Sequence, residues 1–230
     1  EYFVELGVPV TDALNLEVGM RFAEYSTDQD TDSFKLGAYY QVNDDLSVRG
    51  TLQTATRHGS ITELYRGQGS SLTDLDPDPC GTDPESGEGP TATLEQCRNT
   101  GLADADYGSD LKSPADQYNI LTGGNPNLRP EESDSTTLGV VWTPSNVEGL
   151  TLSLDYFDIT VEDRIGTIPA QTSIDKCLAT GAATFCDLIE RDPIMGSLWV
   201  SPGQIITTNT NVAETNTSGF DIIFDYTLNT

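Results

Sequence analysis

Leu16-Glu17-Val18-Gly19-Met20-Arg21-Phe22-Ala23 alternates residue by residue: Leu16, Val18, Met20 and Phe22 are apolar, and the residues between them are charged or small. Side chains on a β-strand point alternately to opposite faces, so a period of two predicts a strand with one greasy and one polar side, whereas a helix repeats every 3.6. The pattern extends outward in both directions. Tyr2, Val4, Leu6 and Val8 precede it. Downstream, Phe34, Leu36, Ala38, Tyr40 and Val42 alternate with Lys35, Gly37, Tyr39 and Gln41, and Val48, Gly50 and Leu52 with Arg49, Thr51 and Gln53. Later come Leu138, Val140 and Trp142, then Leu150, Leu152, Leu154 and Tyr156, then Phe220, Ile222, Phe224, Tyr226 and Leu228.

The connections fall into two sizes. Tight turns are predicted at Thr11-Asp12, at Asn43-Asp44-Asp45 and from Pro144 to Gly149, all rich in turn-forming residues. The opposite strand ends carry longer segments, 27–32, 58–130 and 163–204, so the chain reads as an up-and-down meander with two unlike rims. Thr172 or Ser173 as N-cap and Gly181 at the far end predict one short helix in the last segment.

An amphipathic meander suits two architectures. In a soluble sandwich the apolar face packs on a second sheet; in an outer-membrane barrel it faces lipid while the polar face lines a wet interior. Strands of about ten residues favour the barrel, since at about 45° tilt that length crosses an apolar band of about 25 Å. The polar faces stay polar along their length, with glycine and charge included. Tyr40 and Trp142 precede short turns, where an aromatic belt would hold them at the headgroup boundary.

Composition narrows the function. The 230 residues carry 11 Lys+Arg against 37 Asp+Glu, a net charge of -26, with pI near 4.1 and mean hydropathy -0.34. Such a chain cannot neutralise a row of phosphates, so nucleic acid is excluded as a partner. No apolar run reaches the ~18 residues of a spanning helix. The single histidine, His58, leaves one position for a Ser/His/Asp apparatus and none for a His-rich metal site. Cys80 with Cys97 and Cys177 with Cys186 form two local pairs without C-x-x-C spacing, which predicts loop-stapling disulfides and an oxidising compartment, with free thiols as the alternative. Asp74, Asp76, Asp78, Asp83, Glu85 and Glu88 lack the spacing of a calcium loop and read as a solvated acidic segment. The acidic excess as a whole reads as adaptation to a saline habitat; attraction of cationic solutes, or divalent ions bridging to lipopolysaccharide phosphates, are its other uses.

Gly124-Asn125-Pro126-Asn127-Leu128-Arg129-Pro130-Glu131, followed by Ser133, Thr137-Leu138-Gly139-Val140 and Trp142-Thr143-Pro144, resembles the signature of TonB-dependent outer-membrane receptors. Leu150 to Ile159 is similar to the strand that follows it in that family. Asp175-Lys176-Cys177 to Phe185-Cys186 resembles its cysteine-bracketed loop, and Thr217-Ser218-Gly219-Phe220-Asp221 the opening of a later strand. The likeness spans nearly the whole chain and is strongest from 124 to 226. Arg57-His58-Gly59-Ser60 departs from the family pattern at the mouth of the long loop.

The resemblance implies an all-β fold: a partial antiparallel transmembrane barrel of about eight strands, against about twenty-two in such transporters. Residues 1–230 would be a piece of it without plug, 58–130 and 163–204 its disulfide-stapled extracellular loops. Leu16, Val18, Met20, Phe22, Phe34, Leu36, Tyr40, Leu138, Val140, Trp142, Leu152, Leu154, Phe220, Ile222 and Phe224 would face lipid. Tyr39, Arg49 and Arg57 would line the passage and contact plug or solute. The implied function is energised uptake across the bacterial outer membrane of a scarce solute: an iron chelate such as a siderophore, a vitamin or an oligosaccharide. Its partners would be outer-membrane lipid and, through the plug, the TonB energy complex; no cofactor, metal or catalytic residue is implied. The rival is a secreted, soluble, disulfide-stapled β-domain binding carbohydrate or calcium. A hydrolase built on His58 is the remaining possibility.

Overall fold

The computed structural model describes residues 1–27, 29–212 and 214–228. Asp28, inside the expected 27–32 connection, lies outside the described residues, as do Ala213, Asn229 and Thr230. In chain order the elements are β1 (Tyr2–Pro9), β2 (Leu14–Glu24), β3 (Asp30–Asn43), β4 (Leu46–Arg57), α1 (Ile61–Tyr65), β5 (Gly69–Asp74), α2 (Leu94–Asn99), a 3-10 turn (Asp104–Asp106) and β6 (Gln117–Thr122). They continue with β7 (Glu131–Trp142), β8 (Leu150–Glu162), β9 (Ile165–Gly166), α3 (Ala170–Thr180), α4 (Ala183–Cys186), β10 (Ile189–Glu190), β11 (Gln204–Ile206), β12 (Thr210–Asn211) and β13 (Thr215–Tyr226). The chain divides into two compact units, one of 1–59, 129–165 and 211–230, the other of 60–128 and 166–210.

The first unit is a seven-stranded sheet in the order β1-β2-β3-β4-β7-β8-β13, antiparallel throughout and open, with β1 and β13 at its edges. The turns form where Thr, Asn and Gly predict them. Thr11 Oγ1 accepts from Leu14 N at 3.0 Å, Asn43 Oδ1 accepts from Asp45 N at 2.9 Å, and Gly149 adopts φ +82°. Register carries the apolar set of each strand onto one face: Leu6 pairs with Val18, Val18 with Leu36 and Leu36 with Leu52, while Val140 pairs with Leu154 and Leu154 with Ile222. A one-residue slip would put every one of these side chains on the other face. Ala23, Pro144 and Ile165 are the buried apolar side chains of this unit among those described, and Phe220, Ile222 and Phe224 are 68%, 76% and 69% exposed. The sheet therefore has no dry interior of the kind a soluble sandwich needs.

The second unit has what the first lacks. Its four-stranded sheet runs β10-β11-β6-β5, with β11 and β6 parallel and the other pairs antiparallel. Tyr118, Ala170, Ile174, Cys177, Ile189, Leu198 and Ile205 form one buried cluster, and Cys80, Ala92, Cys97, Leu102 and Leu111 another.

Several sequence expectations change here. The long sheet has seven strands, against about eight expected. The second long interval runs from 163 to 214 rather than to 204. The expected helix is α3, which ends as predicted at left-handed Gly181 but starts earlier, at Pro169; Ser173 lies buried inside it and so caps nothing. Three further short helices accompany it, and α1 and α2 begin with capping boxes, Ser60 with Glu63 and Thr93 with Gln96.

Candidate functional site

The polar face of the long sheet combines large polar side chains with glycines on neighbouring strands. Arg49 on β4 and Asp155 on β8 are each register partners of Gly139 on β7. With no side chain between them, they join over its backbone: Arg49 Nε and Nη2 donate to the two Asp155 carboxylate oxygens at 2.9 and 2.8 Å. A Cβ on residue 139 would run into the Asp155 carboxylate and come within 3.0 Å of Arg49 Nε. Glu17 likewise sits between Gly7 and Gly37 and accepts from Lys35 Nζ at 2.9 Å. The Phe157 ring covers Gly219. Tyr39 lies opposite Arg49, its hydroxyl donating to Gln41 Oε1 at 2.5 Å.

Gly139→Val is expected to separate Arg49 from Asp155 and cost about 1–3 kcal/mol, the overpacking term outweighing the ~0.2–1 kcal/mol of an exposed ion pair. In that background Asp155→Asn should cost nothing more, which a double-mutant cycle on thermal stability checks.

Ion pairs and one asparagine hold the end of the sheet where β4, β7 and β8 meet. Arg57 donates to both Glu131 oxygens at 2.5 and 2.8 Å, and Glu131 Oε1 also accepts from Ile165 N at 2.7 Å. Arg129 pairs bidentately with Asp163, and its hydrogen bonds hold the Asp163 carboxyl below the usual carboxylate range. Asn211 accepts from Arg129 N at 2.9 Å and donates to the carbonyls of Arg129 and Asp163 at 3.0 and 2.6 Å. His58 stacks on Tyr25 with ring centroids 4.3 Å apart, while its nitrogens lie 2.8 Å from Thr27 Oγ1 and from the Gly59 carbonyl.

Within the second unit, Gly124-Asn125-Pro126-Asn127 ties three segments together. Gly124 N donates to Arg66 O at 2.8 Å and Asn125 N to Glu63 O at 3.0 Å. Asn125 Nδ2 donates to Asn209 O, and Asn209 Nδ2 to Glu63 O, both at 3.0 Å. Residue 124 must be glycine, because a Cβ would stand 2.7 Å from Leu64 O and Arg66 N, backbone atoms that cannot move aside. Deeper inside, Arg191 and Asp78 form an ion pair with side-chain exposures of 3% and 1%. Cys80 is bonded to Cys97, and Cys177 to Cys186.

The family described as "TonB dependent receptor-like, beta-barrel" matches residues 1–230. The chain belongs to the TonB-dependent receptor β-barrel family. Its backbone is similar to the siderophore receptor PirA from Pseudomonas aeruginosa, at TM-score 0.56 and 15% identity, over 96% of this chain and 29% of that one. PirA from Acinetobacter baumannii is similar at 0.58 and 17%, over 96% and 24%. The Serratia marcescens hemophore receptor HasR, in complex with its hemophore HasA and heme, is similar at 0.52 and 15%, over 98% and 31%. The chain thus spans under a third of these solved receptors. No curated protein matches it in sequence. Family membership places it in the bacterial outer membrane.

Among the residues expected to line the receptor passage, Tyr39, Arg49 and Arg57 share the polar face, and both guanidiniums are engaged by carboxylates of that face. Their partners Asp155 and Glu131 went unnoticed in the sequence, since they lie 106 and 74 residues away; glycines alternating with charges were the available signal. His58 packs in the rim of the receptor sheet with both ring nitrogens close to oxygen partners. Among the described residues no group of three or more Asp, Glu, His or Cys is placed to hold a metal ion, the acidic run 74–88 included.

Proposed function

We propose that the chain is a wall segment and loop unit of a receptor for energised uptake of a scarce solute, an iron chelate first, and that its apolar face meets outer-membrane lipid. Siderophore and hemophore receptors among the structural neighbours favour the iron chelate. One observation carries the lipid reading: the apolar band is staggered across the sheet. Its upper edge shifts two residues at each step from Phe22 on β2 to Phe34 on β3, Leu52 on β4 and Leu138 on β7, then stays level through Tyr156 on β8 and Phe220 on β13; its lower edge shifts two residues from Val8 to Leu14, from Tyr40 to Leu46 and from Trp142 to Leu150, and is level between Leu14 and Tyr40, Leu46 and Trp142, and Leu150 and Tyr226. A level hydrocarbon slab crossing tilted strands produces a net drift of this kind across the sheet. From Leu14 to Phe22 the band is about 27 Å along the strand, or about 19 Å along the normal at 45° tilt. Phe22, Phe34, Tyr156 and Phe220 at one edge, and Tyr40, Trp142 and Tyr226 at the other, bound it as paired aromatic girdles. Tyr39, Arg49 and Arg57 then border the aqueous interior, and 58–130 and the interval after 162 form the extracellular loops.

Leu154 sits mid-band. In the full-length receptor reconstituted in lipid vesicles, Leu154→Arg is expected to cost about 2–4 kcal/mol in urea unfolding, and a wild-type midpoint for this variant would refute the lipid reading. Loss of ferric-chelate uptake on deleting the receptor, restored only where TonB is present, tests the transport role.

A further inference from the structure

The four-stranded sheet of the second unit ends on β5, and that edge is open. β5 pairs with β6 from Gly69 opposite Thr122 to Asp74 opposite Gln117 without a bulge. In an antiparallel pair, alternate residues turn their N–H and C=O toward the partner strand. Leu75 N donates to Asp116 O at 3.3 Å, one position beyond the ladder, so Thr73, Ser71 and Gly69 turn inward with it while Ser70, Leu72 and Asp74 turn outward. The far side of β6 fixes the same phase: Asn119 N donates to Leu198 O, and Leu121 O accepts from Thr207 N. Among the described residues nothing pairs with the outward N–H and C=O groups of Ser70, Leu72 and Asp74, and all three residues are exposed, Leu72 by 56%. Native sheets close such edges with lysine, proline, a bulge or a covering segment, and β5 has none of the first three.

We propose that the β5 edge docks an extended, basic peptide segment of another protein as a further antiparallel strand. The unpaired main-chain groups select the conformation, because only an extended backbone presents donors and acceptors at the matching two-residue repeat. Charge selects the sequence. Asp74, Asp76 and Asp116 stand at one end of the strand pair, exposed and without an ion-pair partner among the described residues. In the same unit Arg98, Lys112 and Arg191 are already held by other carboxylates. A second copy of this chain would bring a net charge of -26 of the same sign, which opposes its approach. In antiparallel addition the first residues of the incoming segment meet the acidic end, so its Lys or Arg belongs there and an apolar residue belongs opposite Leu72. The inference does not depend on which solute the receptor carries.

The test uses the full-length receptor in phosphatidylcholine vesicles and a fluorescent peptide, Lys-Lys-Val-Thr-Val-Thr, whose valines fall opposite Leu72 and Ser70. Binding, read by anisotropy, is expected to weaken about tenfold when both valine amides are N-methylated and to be unchanged when both threonine amides are, since those face away from β5. Glu-Glu-Val-Thr-Val-Thr should bind about tenfold more weakly than the basic peptide. Leu72→Pro removes an outward N–H without touching the β6 ladder, so it should abolish binding while 60–128 stays resistant to protease. Asp74→Asn/Asp76→Asn should weaken binding about three- to tenfold and flatten its salt dependence. The amides of Ser70, Leu72 and Asp74 should exchange rapidly in the free receptor and slowly with peptide bound. Absence of binding by the basic peptide, or equal binding of the two N-methylated forms, overturns strand addition; equal binding of the acidic peptide overturns the basic partner. Slow exchange of the three amides without peptide would show the edge already covered, by the receptor itself or by a second copy, and overturns the proposal as well. None of these outcomes bears on the lipid reading of the long sheet.

Discussion

Arg191→Leu destabilises the second unit by about 3–5 kcal/mol, because the substitution strands a carboxylate inside protein. Asp78 is 1% exposed, and Arg191 reaches it through Nη1 at 2.6 Å and Nη2 at 3.2 Å. The same guanidinium donates to Thr100 Oγ1 and Gly196 O, both at 2.8 Å, so it links segments more than ninety residues apart. Removing it leaves one buried charge and two buried oxygens without their donor. The double variant Asp78→Leu/Arg191→Leu should be less damaged than Arg191→Leu alone, since no bare charge remains. Urea unfolding, with limited proteolysis restricted to 60–128 and 166–210, distinguishes these outcomes; equal losses in the single and double variants would contradict the account.

Reducing both disulfides is expected to remove roughly 2–4 kcal/mol for each bond, chiefly by releasing the unfolded chain. The bonds close segments of 17 and 9 residues, and Cys80, Cys97 and Cys177 are fully buried. Each lies in one of the two small clusters, Cys80 and Cys97 against Leu102 and Leu111, Cys177 against Ile174 and Tyr118. Clusters of this size need such a staple, as small cores in oxidising compartments usually do. Reduction in mild urea should therefore open the second unit, read as protease cleavage within 60–128 and 166–210, while the hydrogen-bond ladder of the long strands stays protected from amide exchange. Simultaneous loss of both would show that the units are not separately stable.

Particular residues show why legibility differed between the two units. Leu16 to Phe22 declares its strand because neighbouring residues alternate, and alternation is a local property that burial on one side imposes on every strand of the sheet. The turn at Asn43 and the left-handed cap at Gly181 were readable for the same reason: each is determined within four residues. By contrast β9, β10 and β12 have two residues each and β11 three, too few for any period. The parallel pairing of β11 with β6, which places Ile205 beside Ile120, joins residues 85 apart and has no local signature. Arg49 was legible as a polar-face residue, but Asp155 as its partner was not, because that contact depends on β4 and β8 both flanking β7.

The sequence by itself determined which side chains share a face, where the chain reverses, and that two pairs of neighbouring cysteines sit in the intervals between long strands, all consequences of interactions among residues close along the chain. Tertiary structure alone decided that 60–128 and 166–210 build a core of their own, that Arg191 is buried against Asp78, and that Arg49 meets Asp155 over Gly139. Those outcomes follow from packing and desolvation between segments tens of residues apart, where energy depends on three-dimensional proximity that no local pattern encodes.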